Sequence, residues 1–283
     1  MLSFYKGTIP IINDDPQTHA MAFPLQDADG KRVSYGAEPR DFTKYPMEMF
    51  DGPGQMQVTP KSEWDARYDE QEAQKSSLEH IFLSGPGGQP RFVNLDQNGQ
   101  GFCWAYSTGH ALMMARLAKN LPLVRLNPHA TASIINGGRD GGGWCGASAK
   151  FARENGYAEE GNGPGQWPLH YVGLKYDTPE LRASMAHYKS TEEWVDLTRD
   201  VYDVNMSELQ AATALFQNLP SPSDFPWWSH SVLTIRWVRI EAGSWGRLIL
   251  NSWKGWGRFG LGVLQGSKAV AGSTLAIRSV VAA

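Results

Sequence analysis

Cys103 is one of two cysteines in 283 residues, and it stands where a thiol can be made reactive. Gln97-Asn98-Gly99-Gln100-Gly101-Phe102 reads as a loop. The apolar, Ala- and Met-rich run that follows predicts a helix from Cys103 to Lys119. A thiol at a helix N-terminus faces unpaired N–H groups and the positive end of the dipole, and both favour the nucleophilic thiolate. The plainer alternative is a small buried residue opening a core helix. A cysteine nucleophile also needs a base, a group that orients the base, and donors for an oxyanion. His230, where loop 221–229 enters a strand-like run, is the best base. Asn251, at the end of Arg247-Leu248-Ile249-Leu250, is the best orienter, because an antiparallel return from His230 brings it alongside. Gln97 is the best side-chain donor to the oxyanion, partnered by the Cys103 amide. Singly, these three also read as a turn histidine, a turn cap and a loop residue. His110 lies about 10 Å from Cys103 along a helix axis, too far to be the base, and reads as a satisfied helix histidine.

The elements that must position these residues can be read around them. The loop Gly137 to Cys145 is dense in glycine. Its bare backbone at Gly142 and Gly143 suits pairing with an extended peptide, and suits a flexible turn equally. Cys145 reads either as a buried thiol or as a pocket wall. Ala147 to Asn155 predicts a short helix with Gly156 at the C′ position. Pro179 to Tyr188 and Ser207 to Leu219 predict two more. Ser221 to Pro226 reads as a turn-rich connection. Val232 to Ile240, Arg247 to Leu250 and Phe259 to Leu264 are strand-like, and six of the eleven tryptophans fall between Trp227 and Trp256. Helices first and strands last give an α+β chain with two packed halves and a cleft between them.

Upstream, residues 1–60 are rich in Pro, Gly and Asp, with one short strand from Thr8 to Ile12. The rest is a linker, a docking arm or an inhibitory pro-segment. Phe4, Tyr5, Phe23, Phe42, Tyr45 and Phe50 favour the docking arm. Ser62 to Phe82 predicts a helix with Ser62 as N-cap and Asp65 at N3, and Ser84-Gly85-Pro86-Gly87-Gly88 breaks the chain. The domains expected are an arm and helix over 1–85, a catalytic domain over 86–270, and a C-terminal tail over 271–283.

Composition narrows the function classes. The net charge is −3, with 41% hydrophobic and 19% charged residues. No Lys/Arg-rich run provides a footprint for nucleic acid, and no apolar run is long enough to span a membrane. The first residues lack the apolar stretch of a signal peptide. Two cysteines do not make a disulfide framework. These features predict synthesis in a reducing cytoplasm. No CxxC, HExxH, GxGxxG or Walker-type motif is present, so no metal and no cofactor is expected.

Taken together, the chemistry-bearing residues form an ordered pattern: Gln97, six residues on Cys103-Trp104-Ala105-Tyr106-Ser107, then Trp228-Ser229-His230-Ser231-Val232, then Asn251-Ser252-Trp253 with Gly255-Trp256-Gly257. This pattern resembles the papain-like cysteine peptidases over roughly residues 88–266. His230 and Asn251 follow Cys103 by 127 and 148 positions, against about 130–150 in that family. The resemblance implies a two-lobed fold, a helical left half carrying Cys103 and a β-barrel-like right half carrying His230 and Asn251. It implies a Cys103–His230 thiolate–imidazolium pair, Asn251 orienting His230, and Trp253 shielding that bond, with Trp104 supporting the nucleophile. It further implies an oxyanion site at Gln97 and the Cys103 amide, and substrate backbone bound at Gly142 and Gly143. Cys145 would line the pocket for the substrate's second residue. The reaction implied is hydrolysis of a polypeptide substrate through an acyl-enzyme.

Four departures stand out. Gln100 replaces the usual cysteine three residues before the nucleophile. Lys254 replaces a glycine after Asn-Ser-Trp. The segment before His230 is rich in Pro and Ser. Residues 1–85 lack the helical signature of the usual inhibitory propeptide. The arm and the segment Gly262 to Ala269 also resemble peptidase-like proteins of bacteriophages and bacteria. An alternative role is therefore a virion or assembly component, active or not, docked through residues 1–85.

Overall fold

The computed structural model describes residues 3–46, 50, 56–161, 166–190, 194–198, 204–241, 243–278 and 280. The chain winds around one helix, α4 (Cys103–Ala118). Its residues from Cys103 to Leu117 are all buried, as befits a helix that is apolar nearly all round and enclosed on every side. The helices α3 (Leu78–Phe82), α5 (Pro128–Ile135) and α6 (Cys145–Glu154) pack on it. Gly156, at φ +88°, follows the C-cap of α6 as the sequence predicts.

The other side of α4 rests on a sheet. Its long strand β5 (His230–Glu241) is antiparallel to β4 (Ser221–Phe225) and β6 (Ser244–Leu250). Beyond β6 come β7 (Leu261–Gln265), β2 (Ile9–Ile12) and β1 (Phe4–Tyr5). Beyond β4 come β8 (Ser273–Ile277) and β3 (Trp194–Asp196). The order β1-β2-β7-β6-β5-β4-β8-β3 leaves β1 and β3 as edges. Among the described residues the β half is thus an open eight-stranded sheet, where the sequence predicts a barrel-like one.

Three local expectations change. Ser221 to Phe225 is a strand, not a turn-rich connection. Its seryl hydroxyl at Ser223 bonds Thr234 Oγ1 at 3.1 Å, so small polar residues are satisfied inside the sheet. The single helix expected over 62–82 is two, α2 (Trp64–Gln74) and α3, separated by Lys75 at φ 51°. Ser62 makes no cap hydrogen bond, because a 3₁₀ turn over Lys61–Glu63 opens α2. The fold also draws the chain ends inward: β2 runs parallel to β7, pairing Ile11 with Val263 and Ile12 with Leu264, and β8 pairs with β4 and β3. Among the described residues, no helix is long and apolar enough to cross a membrane.

Candidate active site

Cys103 is the first residue of α4, and His230 is the first residue of β5. The two elements are tied one residue and four residues on, where Ser231 Oγ and Ser107 Oγ lie 2.7 Å apart. The β5–β6 register, Leu233 opposite Leu250, carries Asn251 round to His230. Asn251 Oδ1 lies 2.8 Å from His230 Nε2 and also accepts from the Ser252 amide at 2.7 Å. His230 Nδ1 has no hydrogen-bond partner among the described residues. Trp253 stacks on the imidazole with centroids 4.2 Å apart, and Trp228 meets it edge-on at 4.8 Å, so the His230–Asn251 bond lies inside an aromatic cover.

Gln97 is fully buried and held at both ends. Its Oε1 accepts from Ser252 Oγ at 2.6 Å and its amide donates to the Ser252 carbonyl at 3.0 Å. Its Nε2 donates to the Gln100 carbonyl at 2.6 Å and to the Ser34 carbonyl at 3.0 Å. Trp104 donates from Nε1 to the Gly141 carbonyl at 3.3 Å. A Cβ at Gly143 would stand 2.6 Å from the Trp104 ring, which is why bare backbone is needed there. Cys145 is fully buried at the start of α6, and its amide donates to Asp224 Oδ2 at 3.3 Å. Both cysteines are free.

The cleft between these groups is filled by the chain itself. Besides the Ser34 carbonyl on Gln97, the Gly36 carbonyl accepts from Gly143 N–H at 2.8 Å. The Glu38 amide donates to the Gly143 carbonyl at 2.9 Å, and the Ala37 amide donates to the Ser229 carbonyl at 3.0 Å. Ala37 and Gly143 form a parallel bridge. Tyr35 closes over His230 and Trp253, with centroids 6.2 and 5.3 Å away. The strap is fastened on both sides. Upstream, Trp228 Nε1 donates to the Ala22 carbonyl at 2.5 Å, and Lys254 pairs with Asp29 at 2.7 Å. Downstream, Arg40 pairs with Asp196 at 2.6 Å, both side chains at most 2% exposed.

Covering the site changes its electrostatics. Burial pushes the Cys103 thiol up to about 12, although the amides of Ser231, Gly36 and Trp104 pull the other way. Burial lowers His230 to about 3 against the opposing Asn251 bond. Under the strap, then, a neutral thiol and a neutral imidazole are favoured, not the ion pair that the resemblance implies. The pair needs water or substrate dipoles before it can separate charge.

Asp224 was not singled out from the sequence because it lay in a stretch read as a turn. It is 5% exposed on β4, and burial raises its carboxyl to about 6, while Ser231 and Cys145 hold it down. The sign follows: the folded form binds a proton more tightly than the unfolded chain, so this group costs stability as pH rises from about 4 to about 6. The full step is of order 2–3 kcal/mol. Asp224→Asn, which keeps an acceptor for the Cys145 amide, is expected to remove it. The difference in urea unfolding free energy between wild type and variant should favour the variant at pH 8 and vanish near pH 4. A flat difference would sink the assignment. Ser252 also went unassigned, although it stands inside the quoted Asn-Ser-Trp motif.

No family model and no curated protein matches the sequence. Solved structures do. Xylellain, a cysteine protease from Xylella fastidiosa, superposes with a TM-score of 0.53 at 16% identity, over 88% of this chain and 97% of its own. Procathepsin L 3 from the larval midgut of Tenebrio molitor does so at 0.50 and 15% identity, over 94% and 80%. At such identities the likeness is one of fold, and the fold of this chain is that of the papain-like cysteine proteases.

Proposed function

We propose that the chain is a cysteine peptidase that hydrolyses peptide bonds through a Cys103–His230–Asn251 acyl-enzyme mechanism and is held latent by its own residues 34–38. One observation carries this reading. The groups around Cys103 already bind an extended peptide backbone: Gly143 through both its N–H and its carbonyl, Ser229 through its carbonyl, and Gln97 through its side-chain amide. With the strap displaced, a substrate can take those contacts. Cys103 Sγ then attacks the scissile carbonyl carbon, and the oxyanion is held by Gln97 Nε2 and the Cys103 N–H. His230, whose free Nδ1 is available for the thiol proton, delivers that proton to the leaving amine. It then takes a proton from the water that cleaves the thioester. Asn251 keeps the ring oriented throughout.

The test is labelling of the full chain with an epoxysuccinyl thiol probe, read by intact mass and peptide mapping. Slow stoichiometric modification at Cys103 is expected, absent in Cys103→Ala and slowed at least about a hundredfold in His230→Ala, the size of effect typical of losing a general acid–base group. Modification at Cys145 instead would overturn the reading. The alternative, an assembly component that keeps only the shape, requires an unreactive Cys103 and co-purification with a particle.

A further inference from the structure

We propose that the cavity beside Arg247 binds a small carboxylate with an apolar body, at a second site that does not depend on the peptidase reading. Alternation along β6 sends Leu248 and Leu250 into the core cluster around α4 and Ile249 into a different one. Arg247 shares the face of Ile249 and is 3% exposed, so a cation stands in the interior of a central strand. Its ladder neighbours, Trp237 on β5 and Leu264 on β7, carry no charge. Its Nη1 donates to Thr274 Oγ1 at 3.2 Å and weakly to Ser223 Oγ at 3.5 Å, both neutral hydroxyls. Its Nε has no hydrogen-bond partner among the described residues. The rings of Trp237 and Phe225 flank the guanidinium, with centroids 5.7 and 5.9 Å away, and hold it without neutralising it.

Other buried arginines of the chain are treated differently. Arg40 and Arg236 each meet a buried carboxylate at 2.6 Å. The carboxylate that acts on Arg247 is Glu208, on the helix Val204–Phe216, and it is ion-paired with Lys61 at 2.8 Å. Burial draws the Arg247 guanidinium down to about 10, so it is still a cation at neutral pH. A buried charge is costly unless a partner meets it. The cavity that Arg247 lines has room for one: its volume is about 480 Å³, within the range of small-molecule sites. Pro226, Trp227, Val270 and Ala271 give it an apolar wall, and Ser207 and Glu208 a polar one. This lining decides the class of ligand. A carboxylate matches the single guanidinium in charge and in its planar geometry. A phosphate monoester, with a charge of about −1.5 to −2, would set its excess against Glu208. The apolar wall favours a hydrocarbon body behind the carboxylate.

The experiment is isothermal titration calorimetry on the full chain at pH 7.5 and fixed ionic strength. The probes are 3-phenylpropionate, its neutral analogue 3-phenylpropionamide, and inorganic phosphate. Tryptophan fluorescence follows the same titrations, because Trp227 is part of the wall and reports a thermally silent event. The acid is expected to bind at least tenfold more tightly than the amide or phosphate. Arg247→Met should abolish acid binding and leave the protein folded, since replacing an unpaired buried cation by an apolar side chain strands no carboxylate. Val270→Glu places a like charge on a wall residue that is 39% exposed, which spares the fold. It should weaken the acid at least fivefold, and keeps the test decisive should Arg247→Met fold poorly. Cys103→Ala protein should bind the acid with unchanged affinity. No binding of the acid at millimolar concentration, equal affinity for acid and amide, or tighter binding of phosphate would overturn the proposal. So would acid binding that survives either Arg247→Met or Val270→Glu undiminished.

Discussion

Gly36→Ala is expected to raise the labelling rate of Cys103 by roughly tenfold to a hundredfold, from one added methyl group. A Cβ at that position would stand 1.9 Å from the Gly101 carbonyl oxygen and 2.4 Å from its carbon. Those are backbone atoms, so no rotamer change relieves the contact. Gly101 cannot retreat, because its amide is bonded to Asp140 Oδ1 at 2.9 Å and it sits two residues before the nucleophile. Gly36 is not at positive φ, so alanine is comfortable in the strap once the strap has left the cleft. The strain therefore falls on the docked state alone. Overpacking of this kind costs about 1–3 kcal/mol, which shifts a covered–open equilibrium roughly 5- to 150-fold. The strap should swing, not depart, since the β2–β7 pairing and the Ala22–Trp228 bond hold it upstream. Labelling kinetics and a urea unfolding curve on the same preparation check this. An unchanged rate in a folded variant would mean that the strap does not limit access.

What could be read from the sequence was chemistry carried by side chains at fixed spacing. Cys103, His230, Asn251 and Gln97 announce themselves by type, and the structure gathers them because α4 and β5 are strongly patterned elements. The strap left no such signature. Its grip on Gly143, Ser229 and Gln97 is made of backbone N–H and C=O groups, which every residue possesses, and only the glycine at 36 hints at a close approach. Burial was equally silent. A cysteine at a helix N-terminus reads as thiolate-prone, yet the same thiol is held protonated while the strap excludes water. Strand β4 was missed because Pro222 and the serines around it speak against a strand, and Asp224 was missed with it. The departures proved informative in one instance. Lys254, standing where the family has a glycine, pairs with Asp29 on the loop that leads into the strap.

Arg236→Ala is expected to destabilise the whole chain by about 3–5 kcal/mol, the usual consequence of removing one partner from a buried ion pair. Arg236 is fully buried on β5, at the register shift between Thr234 and Arg236 in the β5–β6 ladder. Such a bulge re-aims a side chain, and here the guanidinium meets Glu79 of α3 at 2.6 Å and Glu72 of α2 at 2.5 Å, stacked over the Tyr68 ring. Glu79 is 1% exposed, so losing Arg236 strands a carboxylate that Lys6, at 2.9 Å, only partly offsets. Adding Glu79→Gln should recover much of the loss, because the cost lies in the uncompensated charge. Urea unfolding of the single and double variants, followed by both far-ultraviolet circular dichroism and tryptophan fluorescence, decides the matter. A loss under about 1 kcal/mol, or two separate transitions, would mean that α2 and α3 form a detachable extension. A single cooperative transition with the full loss would mean that they are part of the body that holds His230 at the head of β5. In that case a deletion through residue 60, which removes β2 and the Lys6 contacts, would disturb the site through folding. Displacing the strap by a substitution such as Gly36→Ala is then the way to ask what the uncovered cleft does.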